Sequence, residues 1–195
     1  LLCINLYSLI SIICLLIEKS GSLDPLLLEA FSSLNIELFQ YSIFSKIFNK
    51  ITAEAMRQPQ IFSLFMLRKI VLEKRNAKNI LVVSADRAWM QKNPFDAFTP
   101  ERKLIGIAKS QAFHSSGDFT LIEKLAQCMN GLNNQEHIVS EHVLYGSYAG
   151  IFRFANQIHA DILFLSSRKA LKCDLKSALL THIIFNNALR GLEIQ

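Results

Sequence analysis

The chain has 195 residues, of which 51% are hydrophobic and 19% are charged. This length fits one domain, 1–195, and the apolar fraction excludes an intrinsically disordered chain. The formal charge of +5 comes from Lys and Arg scattered along the sequence, so we expect no nucleic-acid partner. The 4 Cys show no metal-ligand spacing and are interpreted as reduced, structural residues.

The chain opens on an apolar run of about 17 residues that begins at Leu1 without an initiator Met, as expected of a fragment or a processed product. Asn5, Ser8 and Ser11 interrupt this run, and no basic residue precedes it. We predict a buried helix that leads into a strand at Ile10–Ile17. The end of a membrane span is the alternative, so localisation stays open between the cytoplasm and a membrane-associated state.

Capping residues and periodicity define the next elements. Asp24 and Pro25 predict the start of a helix that runs to about Leu34. The alternation at 35–41 predicts a strand. Helical spacing resumes at 61–73, and an apolar strand follows at 80–83.

Five further elements are predicted toward the C-terminus. They are a strand at Leu104–Ala108, a helix at Phe119–Met129, a strand at Ile138–Gly146, and helices at Ile151–Phe164 and Leu179–Leu189. Because strands alternate with helices, the order predicts an α/β domain of three layers with a mostly parallel sheet.

The segment from Asn79 to Phe95 is the most informative part of the sequence, because its apolar run stops abruptly at Asp86 and a Pro94-Phe95 turn follows. In open α/β sheets, ligands bind at the carboxyl ends of the strands. We therefore expect a ligand site just after the strand at 80–83.

The tail Met90-Gln91-Lys92-Asn93-Pro94-Phe95 resembles the central segment of nucleotide-sugar glycosyltransferases with the GT-A fold. In that family the preceding strand typically ends in two aspartates. Here Ser84 and Arg87 occupy the two expected positions, and the one carboxylate, Asp86, lies between them. The resemblance covers roughly Ile10 to Leu189 as a succession of elements.

The resemblance implies a GT-A-like, Rossmann-like domain that transfers a sugar from a nucleotide-sugar donor to a hydroxyl of a carbohydrate or glycan acceptor. It implies that Asp86 holds Mn²⁺ or Mg²⁺ on the donor diphosphate, as hard oxygen ligands suit these ions. The other interpretations are that Asp86 caps a turn, or that Arg87 neutralises the diphosphate without metal.

Three further residues match positions of the family's motifs. Gly146 corresponds to the second of two glycines in a family motif, and His142 stands in the place of the first, which lets the backbone approach the donor sugar in that family. Asp174 corresponds to a carboxylate in the sugar pocket, with Leu175 in place of the usual Gln. The alternative interpretations are that Asp174 caps a helix and that His142 is an ordinary surface or core histidine. These departures also favour a noncatalytic relative that keeps the scaffold for binding or assembly.

Overall fold

The computed structural model describes residues 2–7, 11–18, 24–33, 36–42, 59–84, 104–108, 139–167 and 179–193. The strands are β1 (Leu2–Tyr7), β2 (Ser11–Glu18), β3 (Ile36–Ser42), β4 (Asn79–Ser84), β5 (Leu104–Ala108) and β6 (Val139–Ser147). The helices are α1 (Pro25–Ser33), α2 (Pro59–Glu73), α3 (Tyr148–Ser167) and α4 (Leu179–Glu193). The predicted helix at Phe119–Met129 lies outside the described residues.

The sheet is predominantly antiparallel, so the predicted three-layer GT-A-like fold with a mostly parallel sheet is wrong. The strand order is β3-β2-β1-β4-β6-β5. Among these strands, only β2 and β3 pair in parallel, and the other four pairings are antiparallel. The part of the sheet that carries the described core, β4 with β6, is itself an antiparallel pair. Helices account for more of the described residues than strands do.

The N-terminal segment explains much of this error. The helix predicted before Ile10 is instead β1, which pairs with β2 on one side and with β4 on the other. Leu2 lies opposite Leu15 and also opposite Ser84. A short apolar run fits a buried helix and a buried strand equally well, so periodicity could not separate them. Because β1 lies between β2 and β4 and runs antiparallel to both, it adds two antiparallel pairings to the sheet.

Several local predictions are confirmed. The backbone amide of Leu26 donates to Asp24 Oδ1 at 2.9 Å, so Asp24 caps α1, and Pro25 is the first helical residue. The strand–helix–strand unit from β2 to β3 closes as the predicted parallel pair, with Ile12 opposite Ile36. The strands predicted at 80–83 and 104–108 and the final helices also form.

The described core lies between one face of the β4–β6 pair and the helices α2, α3 and α4. Ile80, Val82 and Leu144 supply the sheet side. The helix side includes Phe62, Leu67 and Ile70 of α2, Phe154, Ile158 and Ile162 of α3, and Ile184, Phe185 and Ala188 of α4. Removing these side chains from water is the main force that holds the helices on the sheet.

The opposite face of the same strand pair is also buried. Leu81, Val83 and Tyr145 alternate with the core-facing residues, and each is at most 6% exposed. Burial on both faces explains why β4 is a continuous apolar run rather than an alternating one.

Helix α3 follows β6 without a gap and is fixed at its start. Ser147 Oγ accepts a hydrogen bond from the Gly150 amide at 3.2 Å, as an N-cap residue does. The Tyr148 amide donates to the Lys78 carbonyl at 3.0 Å, which joins this helix start to the turn before β4. Within the described residues, no helix is long and apolar enough to span a bilayer.

Candidate functional site

Four strands end at one edge of the sheet, although the sheet is mostly antiparallel. The pairings give β2, β3, β4 and β5 one direction and give β1 and β6 the other. We name this edge the Ser84 edge. It consists of the last residues of four strands, Glu18, Ser42, Ser84 and Ala108, and the first residues of two, Leu2 and Val139.

The predicted residues around Asp86 relate to this edge in different ways. Asp86 and Arg87 lie outside the described residues, two and three positions beyond Ser84 in the sequence. The backbone of His142 lies in β6, one residue before Val143, which is paired with Val83. His142 is therefore placed beside the end of β4.

Gly146 lies elsewhere. It is buried in the body of the sheet, paired with Ile80 on one side and with Leu104 on the other. His142 lies four positions before it in β6, which is about 13 Å along an extended strand. The structure therefore does not bring Gly146 to the Ser84 edge.

Asp174, the predicted catalytic residue, lies outside the described residues, so its relation to this edge is a prediction. In the described ranges, no three His, Cys, Asp or Glu side chains come together as metal ligands. The carboxylate predicted to hold Mn²⁺ or Mg²⁺, Asp86, is not among them. The described residues alone therefore do not form a binding site for a divalent metal.

A second group of polar residues lies between the helices. We name it the polar seam, and its members are Arg68 of α2, Asn156, Gln157, His159 and Asp161 of α3, and Asn187 of α4. Arg68 Nε donates to Asn156 Oδ1 at 2.6 Å, a short, charge-assisted hydrogen bond between α2 and α3. This bond fixes the register of the two helices.

His159 lies in the same contact between α2 and α3. Its ring stacks on Phe65, with the ring centroids 4.3 Å apart and the planes 28° apart. Its Nδ1 atom is buried and has no hydrogen-bond partner. Burial lowers the pKa of His159, and the nearby Arg68 charge lowers it further, whereas a hydrogen bond to the Phe65 backbone opposes both. The ring is therefore held in its neutral form.

Asp161 lies on the side of α3 that meets α4. Gln157 Nε2 donates to its Oδ1 at 2.9 Å, and Asn187 Nδ2 donates to its Oδ2 at 3.0 Å. Burial raises the pKa of Asp161, while the two amide hydrogen bonds lower it by a smaller amount. The carboxylate is thus held by neutral groups.

No protein-family model and no curated protein matches this sequence. The resemblance to glycosyltransferases therefore rests on the residues quoted for it. The described residues themselves provide two candidate features, the Ser84 edge and the polar seam.

The polar seam was missed in the sequence, although a signal for it was present. Asn156 and His159 are three positions apart on the helix predicted at Ile151–Phe164. Phe65 and Arg68 have the same spacing on α2. Polar residues at such spacing on a core-facing helix indicate a polar contact between helices.

We expect Asp161→Asn to remove a pH dependence of stability. Because the folded-state pKa is raised above 3.8, the contribution of Asp161 is fully present below pH 3.8 and is lost as pH rises through the folded pKa. Asn has one acceptor oxygen where Asp161 uses two, so the variant loses one amide hydrogen bond, but its stability relative to the wild type should be higher at pH 7 than near pH 4. Urea denaturation of both proteins at several pH values measures the difference.

The control for this comparison is Glu29→Gln, an exposed carboxylate on α1. It makes the same change of acid to amide away from the polar seam. If the stability difference between Asp161→Asn and the wild type is equal at pH 4 and pH 7, the assigned effect of burial is wrong.

Proposed function

We propose that the protein binds a nucleotide-sugar donor at the Ser84 edge and transfers its sugar to an acceptor hydroxyl. The observation that carries this proposal is the common direction of β2, β3, β4 and β5, whose carboxyl ends all lie at this edge. Strand ends gathered at one edge present backbone groups and the following segments to a single ligand.

The sequence between the elements supports the same edge. The long segments 43–58, 85–103 and 109–138 each follow a strand that ends there. Binding and catalytic residues are concentrated on long segments that a rigid sheet holds in place. The segment after β4 includes Asp86, Arg87 and the Met90–Phe95 tail, the residues on which the resemblance depends.

The proposal gives each residue a role that its chemistry permits. Arg87 offers a guanidinium that binds diphosphate oxygens in a fork. Asp86 would hold a divalent cation on the same diphosphate through its carboxylate oxygens, and a ring N–H of His142 would donate to a phosphate oxygen. Asp174 orients the acceptor hydroxyl for attack on the sugar.

Titration calorimetry with uridine or guanosine diphosphate, with and without Mn²⁺, tests the binding step. We expect the wild type to release heat, and we expect Arg87→Gln to weaken binding by about tenfold, or about 1.4 kcal/mol. Asp86→Ala should abolish the part of the heat that depends on Mn²⁺. Glu29→Gln on α1 serves as the control and should bind like the wild type.

A noncatalytic scaffold or binding protein is the second candidate. The predominantly antiparallel sheet favours it, because the transfer chemistry was expected from a different, mostly parallel architecture. If the wild type gives no heat with either diphosphate in the presence of Mn²⁺, the transferase proposal fails and the scaffold remains. Equal heat from the wild type, Asp86→Ala and Arg87→Gln would exclude the assigned site.

A further inference from the structure

We propose that His159 makes the contact between α2 and α3 sensitive to acid, so that protonation of its ring loosens α2 from α3. This inference does not depend on the proposed function. It rests on the position of the ring inside a helix contact, on its unpartnered nitrogen and on the cation beside it.

The geometry leaves an added proton without a partner. The Nδ1 atom is buried and has no hydrogen-bond partner. A proton on Nδ1 would therefore create a buried donor without an acceptor, which disfavours the protonated ring in the closed helix contact. Stacking of the charged imidazole on the face of Phe65 would offset part of this penalty, because an aromatic face attracts a cation.

Among the described residues, the charged groups near His159 do not offset a positive charge. On α2, Arg68 adds a second cation, and its charge lowers the pKa of His159. On α3, the acid Asp161 already accepts from Gln157 and Asn187 on the side that meets α4.

The other elements packed against α3 add few charges. Strand β4 contains no ionisable side chain. The remaining candidates on packed elements are Lys69 and Glu73 of α2, which are exposed, and Arg153 of α3, also exposed. The side chains of Glu141 and His142 of β6 and of His182, Arg190 and Glu193 of α4 lie outside the described set.

The direction in which stability changes with pH follows from the linkage between protonation and folding. The folded-state pKa of His159 lies below the ordinary value of 6.5, so the unfolded or opened state binds the proton more readily. Stability from this group is therefore complete above pH 6.5 and falls as the pH drops from 6.5 through the folded-state pKa. Opening of the contact would expose the apolar face of α2, which includes Phe62 and Ile70.

Hydrogen exchange at pH 7.5 and pH 5.5, corrected for the intrinsic pH dependence of exchange, tests the inference. We expect the opening equilibrium of α2 amides to rise at pH 5.5 by up to about tenfold, the limit set by protonation of an opened-state imidazole of pKa 6.5 one pH unit below that value. Amides of α1, a helix in contact with β3, should not change and provide an internal control. Imidazole NMR signals of His159 in the folded protein should titrate below the ordinary value of 6.5.

Variants separate this device from general acid sensitivity. His159→Phe keeps a ring to stack on Phe65 and should remove the rise, whereas His114→Gln, a histidine outside α2 and α3, should keep it. Arg68→Gln should reduce the rise, because the cation that disfavours the proton is gone. If His159→Phe does not fold, His159→Gln replaces it. A rise in His159→Phe or His159→Gln equal to that of the wild type overturns the proposal, as does a wild type without any rise.

Discussion

Phe154→Ala should destabilise the protein by about 3–5 kcal/mol, the usual cost of removing a buried aromatic side chain. Phe154 is 0% exposed and meets Phe185 of α4 edge to face, with ring centroids 4.9 Å apart and planes at 71°. The substitution leaves a cavity between α3 and α4 and removes a favourable aromatic pair. Urea denaturation followed by circular dichroism measures the change in the free energy of unfolding.

Phe164→Ala is the matched control, since it makes the same substitution ten positions along the same helix. Phe164 is 40% exposed, so its loss should cost no more than about 1 kcal/mol. If the two variants lose equal stability, the core does not lie where α2, α3 and α4 meet.

Ile158→Asp should prevent the chain from folding at neutral pH. Ile158 is 0% exposed and belongs to the cluster between the helices and the β4–β6 pair. An aspartate there places an unpaired carboxylate in the core, which costs more than about 4 kcal/mol and exceeds much of the stability of a typical domain. The expected result is a circular dichroism spectrum of an unfolded chain, or protein found only in the insoluble fraction.

Leu163→Asp introduces the same charge on the same helix at a side chain that is 45% exposed. This variant should fold and lose about 1 kcal/mol or less, because water continues to solvate the new carboxylate. A folded, soluble Ile158→Asp protein would contradict the described packing of α3.

Local signals in the sequence were sufficient for most of the described elements. Asp24 and Pro25 marked the start of α1, and the apolar run at Ile80–Val83 marked β4. Strand directions were not accessible in this way, because pairing depends on contacts between residues far apart in the chain. The pairing of Leu2 with both Leu15 and Ser84 joins residues that are far apart in the chain. It belongs to the two antiparallel pairings of β1, out of four in the described sheet.

The candidate site shows the same division. The end of β4 followed from the local pattern, so the position of Asp86 after that strand was predictable. The separation of His142 from Gly146 was also predictable, because both lie in the strand predicted at Ile138–Gly146 and its extended geometry keeps them apart. The partner of His159 could not be read from α3 alone, because Phe65 belongs to another helix.

The short connections of the described chain have a consequence for variation. Helix α2 joins β4 through the turn 74–78, and β6 joins α3 directly, with the Tyr148 amide bonded to the Lys78 carbonyl. These junctions lie at the end of the sheet opposite the Ser84 edge, and their connecting segments are short. Insertions and deletions in related chains should therefore accumulate at the Ser84 edge, where a connecting segment can change length without moving the helices. The connections at the opposite end should keep a fixed length.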